Sequence, residues 1–365
     1  MKTHRSIFTM FSSKLDFFTV SLKSLLILSV VTLTAPVFQG CNDSSHPQDS
    51  DFTEVQTRAS VKIAVRKPND AQTHTLDALL FNDDQLQRID CYQQMTWNGQ
   101  ESVLVGSCAG NKIVLLCANL GWDKDVWRQY PSFPAAGAAR VNLEDEEREF
   151  PVMVGCMRMH AGDQTPIKLE RLTSEVVLRS VSCDFSGKPY AGEQITDARV
   201  YLTNLNATCS LMPGEKETIE RIINHKGLIQ EDIKALKDST LVVKHIGDFG
   251  QVRIHPSASL LCYPNTSREE SLGTPMTRLV IEGKIQGETW YWPLDINRNG
   301  ADGVGADDSG GVTDYGVGRN CRYVFDVTIT GKGTKDPDRP VTREMAETIF
   351  KIEQWNEKEE YSVAF

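Results

Sequence analysis

A chain of 365 residues with 39 Lys and Arg against 49 Asp and Glu carries a net charge of −10 at pH 7. That balance excludes the basic footprint a nucleic-acid binder needs and suits a soluble surface protein. The length leaves room for two domains of common size.

The leader comes first. Lys2, Arg5, Lys14 and Lys23 against Asp16 give residues 1–40 a net +3, which leaves −13 on the remainder. The apolar run from Leu25 to Leu33 is too short to span a bilayer, which takes about 20 residues in a helix. A basic leader, a short apolar core and then small residues read as a secretion signal. Gly40-Cys41 supplies the small residue and thiol of a bacterial lipoprotein processing site, with Phe38 where such sites often carry Leu. The Cys41 thiol is nucleophilic enough to be alkylated by a lipid donor, and acyl chains anchor a protein with about 0.8 kcal/mol per buried CH₂. Residues 42–58 are mostly polar and read as a tether or propeptide without a core.

The chain beyond this point is predicted to be a succession of short strands. Val61 to Arg66 alternates apolar and polar residues, as a half-buried strand does. Similar runs follow at Leu86 to Tyr92, Lys112 to Ala118, Pro151 to Gly155, Ile167 to Leu172, Glu175 to Cys183 and Ala198 to Asn204. Trp122 to Tyr130 is expected as a helical turn. Glu215 to Lys226 carries Ile219, Ile222 and Ile223 at helical spacing and predicts a helix stopped by Gly227. A second short helix is expected over Glu231 to Lys237. Met276 to Ile285 and Glu288 to Ile296 predict a hairpin turning at Gln286-Gly287. A Gly/Asp/Asn loop follows, then strands over Asn320 to Thr330 and Met345 to Trp355. Strands punctuated in this way predict an antiparallel sandwich.

Eight cysteines remain besides Cys41. They form no Cys-x-x-Cys pair, which argues against a zinc ribbon or a thioredoxin-type site. Export permits disulfides, but several lie in apolar runs, where buried thiols acting as small hydrophobes are the expectation.

The second half also carries a recognisable pattern. Trp290-Tyr291-Trp292-Pro293-Leu294 precedes Tyr315-Gly316-Val317-Gly318-Arg319-Asn320-Cys321-Arg322-Tyr323. Val327-Thr328-Ile329-Thr330-Gly331-Lys332-Gly333 and Asp336-Pro337-Asp338-Arg339-Pro340-Val341 then lead to a strand ending at Trp355. Phe150 to Gly155 and Leu169 to Val176 add weaker matches. Together these resemble the fimbrillins of Bacteroidia, the subunits of type V pili. The resemblance implies an all-β fold of two transthyretin-like antiparallel sandwiches with short helices, and a structural role. It implies no enzymatic activity and no cofactor.

The domain organisation is therefore expected as a signal peptide over 1–40, a lipidated tether or propeptide over 41–58, and sandwiches over 59–212 and 213–365. By resemblance the chain travels to the outer membrane through its lipid and joins a surface fimbrium made of other copies or related subunits. A protease cuts after an Arg near the first domain, here between Arg58 and Ala59. A neighbour's C-terminal segment then fills the opened groove. Tyr361, Val363 and Phe365 alternate at the end of the chain and share one strand face, the form a donor strand needs. The segment before Arg58 has only Phe52 and Val55 as large apolar residues, a poor sacrificial strand, which leaves a lipid-retaining anchor or accessory subunit as the alternative. A monomeric surface lipoprotein binding a glycan or a host protein is a third reading.

Other motifs weigh less. Asp308-Ser309-Gly310-Gly311 has the form of a serine-protease loop, but no His stands in a matching motif, and the chemistry needs one. Asp295 to Asp302 copies the start of a calcium loop, but Ala306 occupies the twelfth position, where a bidentate Glu belongs. His160 lacks spaced Cys or His partners. Trp290 and Trp292 share a strand face, expected as core before glycan platform. Catalytic residues and metal ligands are thus expected to be absent.

Overall fold

The structure, a computed structural model, describes residues 58–355 except 161–162, 164, 214–218, 268–274, 298–315, 340 and 343. Cys41 and the terminal Tyr361, Val363 and Phe365 lie outside the described residues, as do Asp308-Ser309-Gly310-Gly311 and most of the calcium-like loop.

The first half runs β1 (Arg58–Arg66), β2 (Thr75–Asn82), β3 (Ile89–Thr96), β4 (Ser102–Cys108), β5 (Lys112–Ala118), α1 (Lys124–Trp127), α2 (Phe133–Ala138), β6 (Arg140–Asn142), β7 (Met153–Met159), β8 (Ile167–Lys168) and β9 (Glu170–Arg171). The second continues with β10 (Ser174–Cys183), β11 (Ile195–Thr203), β12 (Leu205–Asn206), β13 (Thr208–Ser210), β14 (Ile222–Ile223), α3 (Gln230–Ala235), β15 (Val243–Phe249) and β16 (Ala258–Cys262). It ends with β17 (Arg278–Ile285), β18 (Glu288–Asp295), β19 (Cys321–Ile329) and β20 (Ala346–Gln354). The all-β expectation holds.

Two sheets build the N-terminal sandwich, one ordered β4-β1-β8 and the other β3-β2-β5-β7-β9. Two more, β16-β10-β19-β20 and β15-β11-β17-β18, build the second. β5 is buried on both faces, which explains its unbroken apolar run, Ile113-Val114-Leu115-Leu116-Cys117. Val114 and Leu116 face β1 and β4 in one core, while Ile113, Leu115 and Cys117 join the larger core that continues into the second sandwich. Burial pushes the Cys262 thiol up to about 12 and Cys156 to about 11. Cys117, Cys156, Cys183, Cys262 and Cys321 carry free thiols.

Three predictions are corrected. Sheet membership does not change at 212/213: β10 and β11 precede that point, yet β10 pairs with β16 and β19, and β11 with β15 and β17. Pro213 ends a segment in which β13 pairs back to β6; a turn marks the end of an element, not the sheet it enters. Ile222 and Ile223 form β14 against Leu205-Asn206 rather than a helix. Ile223 is buried there, and β-branched residues tolerate an extended backbone well. Leu86 is 63% exposed and precedes the strand it was expected to open.

The quoted motifs are largely structural. The Trp292 indole is buried and donates to the Gly331 carbonyl at 3.0 Å. The buried Arg278 guanidinium donates to Asp295 at 2.7 Å and to Asp338 at 2.6 Å, which ties the Asp336-Pro337-Asp338 segment to the β17–β18 hairpin. At Gly333 a Cβ atom would collide with the Tyr291 carbonyl, so the close backbone approach selects glycine.

Glu146 is fully buried, accepts from the Tyr263 hydroxyl at 3.0 Å and from the Val152 amide, and burial raises its pKa from 4.5 to about 7. The folded state thus prefers the protonated acid. Its stabilising contribution is fully present below pH 4.5 and is lost as pH rises through 7. Glu146→Gln is expected to gain on wild type across that window, by on the order of 3 kcal/mol at most. Urea unfolding at pH 4.5 and pH 8 checks the sign; a pH-independent difference would contradict it.

Candidate assembly site

The site begins with the first strand. β1 pairs antiparallel with β4 from Arg58↔Cys108 to Ala64↔Ser102, and its end pairs parallel with β8 at Val65↔Ile167 and Arg66↔Lys168. Alternation sends Val61, Ile63 and Val65 into the N-terminal core at 6% exposure or less. Lys62 and Arg66 face solvent. Burial of each apolar side chain contributes roughly 1.5–3 kcal/mol, so β1 is both a sheet element and a large share of this core.

Arg58 and Ala59 do not sit ahead of this strand; they are its first two positions. A chain cut between them keeps Val61, Ile63 and Val65 in place. A break after Arg66 would separate all three from the rest of the chain; there the chain leaves the sheet into a loop closed by Lys67 Nζ on the Ala71 carbonyl at 2.7 Å.

The end of the described chain meets this region. The Trp355 amide donates to the Asn320 carbonyl at 3.1 Å. Its ring lies 4.3 Å from the guanidinium carbon of Arg171, which is 3% exposed and also holds Asp70, in the loop after β1, at 2.5 Å. Arg66, Lys67, Lys168, Asn320 and Trp355 line one small shared pocket. The exit of β1 and the last described residue are therefore neighbours. Arg171 and Trp355 both fall in motifs visible in the sequence, but no local signal announces their pairing, because Arg171 and Asp70 lie 101 positions apart.

The remaining motif residues resolve simply. Trp290 is partly exposed, with Lys335 Nζ 3.6 Å from a ring centroid. His160 is exposed, and its ring contacts Asn111. Asp295, first in the calcium-like motif, is engaged by Arg278. Among the described residues no group of three His, Cys, Asp or Glu is placed to hold a metal.

No protein-family model matches the chain, and no curated protein matches its sequence. Solved structures do. A fimbrilin from Porphyromonas gingivalis W83 matches with a TM-score of 0.59 at 15% identity, covering 82% of this chain and 98% of its own. A candidate cell adhesion protein from Parabacteroides distasonis ATCC 8503 matches with a TM-score of 0.58 at 14% identity, covering 84% and 99%. Another from Bacteroides eggerthii DSM 20697 gives 0.58 at 16%, covering 82% and 96%. The chain has a fimbrillin-like all-β fold.

Truncating a core side chain of β1 is expected to cost far more than truncating an outward one. Ile63→Ala should destabilise the protein by about 2–4 kcal/mol, while Lys62→Ala should stay within about 0.5 kcal/mol. Denaturant midpoints measure both; equal effects would mean that β1 is not part of the cooperative core.

Proposed function

We propose that the chain is a structural subunit of a surface fimbrium, exported as a lipoprotein modified at Cys41 and assembled with other copies or related subunits by strand exchange. The observation that carries this reading is β1: a single strand, bordered by β4 and β8, whose removal would bare an apolar groove with a free sheet edge. Such an edge accepts a strand through backbone hydrogen bonds, with alternate side chains entering the vacated pockets. The terminal Tyr361, Val363 and Phe365 supply that alternation, and the fimbrial fold neighbours support the class. The protein acts through assembly and adhesion, not catalysis.

Proteolysis between Arg58 and Ala59 would free the chain from its lipid without opening the groove. Opening it takes a further cut at Arg66 or displacement of β1 by the incoming strand. The depth at which β1 is set also favours a second reading, in which an uncut, lipidated chain anchors a fimbrium at the outer membrane.

The N-terminus of the chain recovered from purified fimbriae distinguishes these. A start at Lys67, or at Ala59 with β1 displaced, marks a polymerising subunit. A lipidated Cys41 within fimbriae marks an anchor. A lipidated monomer with no associated subunits overturns both. Deletion of 361–365 is expected to abolish heat-labile polymers while leaving the monomer's melting temperature unchanged; polymers that persist would place the donor elsewhere.

A further inference from the structure

A cavity of about 640 Å³ opens beside β15, the outer strand of its sheet, and its wall is cationic. Arg148, Arg199, Lys244 and His245 line it, and no carboxylate does among the described residues. In a protein of net charge −10 that concentration of one sign is against the overall trend. Only part of it is neutralised. Arg199 is paired with Glu282 at 2.7 Å. Arg148 spends its donors on neutral acceptors: the Ser259 hydroxyl at 2.9 Å, the Ser259 carbonyl at 2.8 Å and the Thr240 carbonyl at 3.0 Å. Lys244 donates to the Ser257 carbonyl at 2.9 Å. Neither has a carboxylate partner among the described residues.

Three nearby acids are committed elsewhere. Glu175 accepts from Ser259 behind the wall and is held by Arg322 at 2.9 Å. Asp197 is taken by Lys284 at 2.7 Å. Asp232 of α3 accepts from the Asn224 amide at 2.6 Å. The remainder of the wall is chemically mixed. Ser239, Thr240, Ser257 and Ser259 supply hydroxyl-bearing residues, and Leu228, Ile233 and Val243 supply apolar ones.

We propose that this cavity binds an acidic sugar, its carboxylate or sulfate group set against Arg148 and Lys244. The volume falls in the range of small-molecule sites, about 300–1,000 Å³, and exceeds what a bare inorganic anion fills. Half-buried Arg148 and exposed Lys244 can recognise an oxyanion through charge-assisted hydrogen bonds. Ser and Thr match ring hydroxyls, and the apolar residues match the C–H face of a pyranose. The proposal stands apart from the assembly reading, since β15 and α3 take no part in the β1 groove.

Isothermal titration of the purified protein tests it. The probes are N-acetylneuraminic acid, glucuronic acid and glucosamine 6-sulfate, with neutral N-acetylglucosamine, inorganic sulfate and a tetraglutamate peptide as comparators. At least one acidic sugar is expected to bind saturably and more tightly than all three comparators. Lys244→Gln, at an exposed position of β15, should weaken that binding about tenfold at an unchanged melting temperature, and Lys244→Glu should abolish it. Arg148→Lys should retain part of the affinity by keeping the charge. The proposal is overturned if no acidic sugar binds, or if Lys244→Glu binds as well as wild type. It is equally overturned if the neutral sugar, the sulfate or the peptide binds as tightly as the best acidic sugar.

Discussion

Three side chains on one strand, Val61, Ile63 and Val65, hold the N-terminal sandwich closed. Among the described residues β1 alone joins β4 to β8, so the smaller sheet they form depends on β1. Its core partners Val114 and Leu116 come from β5, whose opposite face feeds the core of the second sandwich. What happens at β1 is therefore mechanically close to the whole molecule. Loss of such a strand would leave an unmet demand for backbone hydrogen bonds and apolar contacts in one elongated groove.

A second constraint brings the loop after β1 beside the last described residue. Arg171, almost fully buried, is bound by Asp70 from the loop after β1 and covered by the Trp355 ring at the end of the described chain. A buried guanidinium is tolerated only where charge and π-density reach it. The same economy explains the fimbrillin-like motifs of the second half. Arg278 with Asp295 and Asp338, and Trp292 with the Gly331 carbonyl, satisfy buried donors that link the hairpin to the loop after β19. Residues that stand out in the sequence for their chemistry thus act as structural fasteners. The solvent-facing cations beside β15 behave differently, since two of them lack an acidic partner among the described residues.

Much of the strand pattern was legible locally. Lys112 to Ala118 matches β5 from end to end, and the Gln286-Gly287 turn joins β17 to β18 with positive φ at both residues, as a tight hairpin requires. Ile222 and Ile223 misled because helical spacing over a few residues is weak evidence once Leu205-Asn206 offers a pairing edge. Arg58-Ala59 was legible as a boundary near the first strand, but not as part of the strand whose core residues follow it.

By itself, then, the sequence determined several of the strands, β1, β5 and β10 among them, and where the hairpin turns. These are local matters of periodicity and turn chemistry. Tertiary structure alone decided that β10 and β11 belong with strands far beyond Pro213, that Arg171 joins Asp70 to Trp355, and that Arg148 and Lys244 share one cavity. Those outcomes depend on which sheet edges and buried charges find one another across many tens of residues, and no short window of sequence encodes that choice.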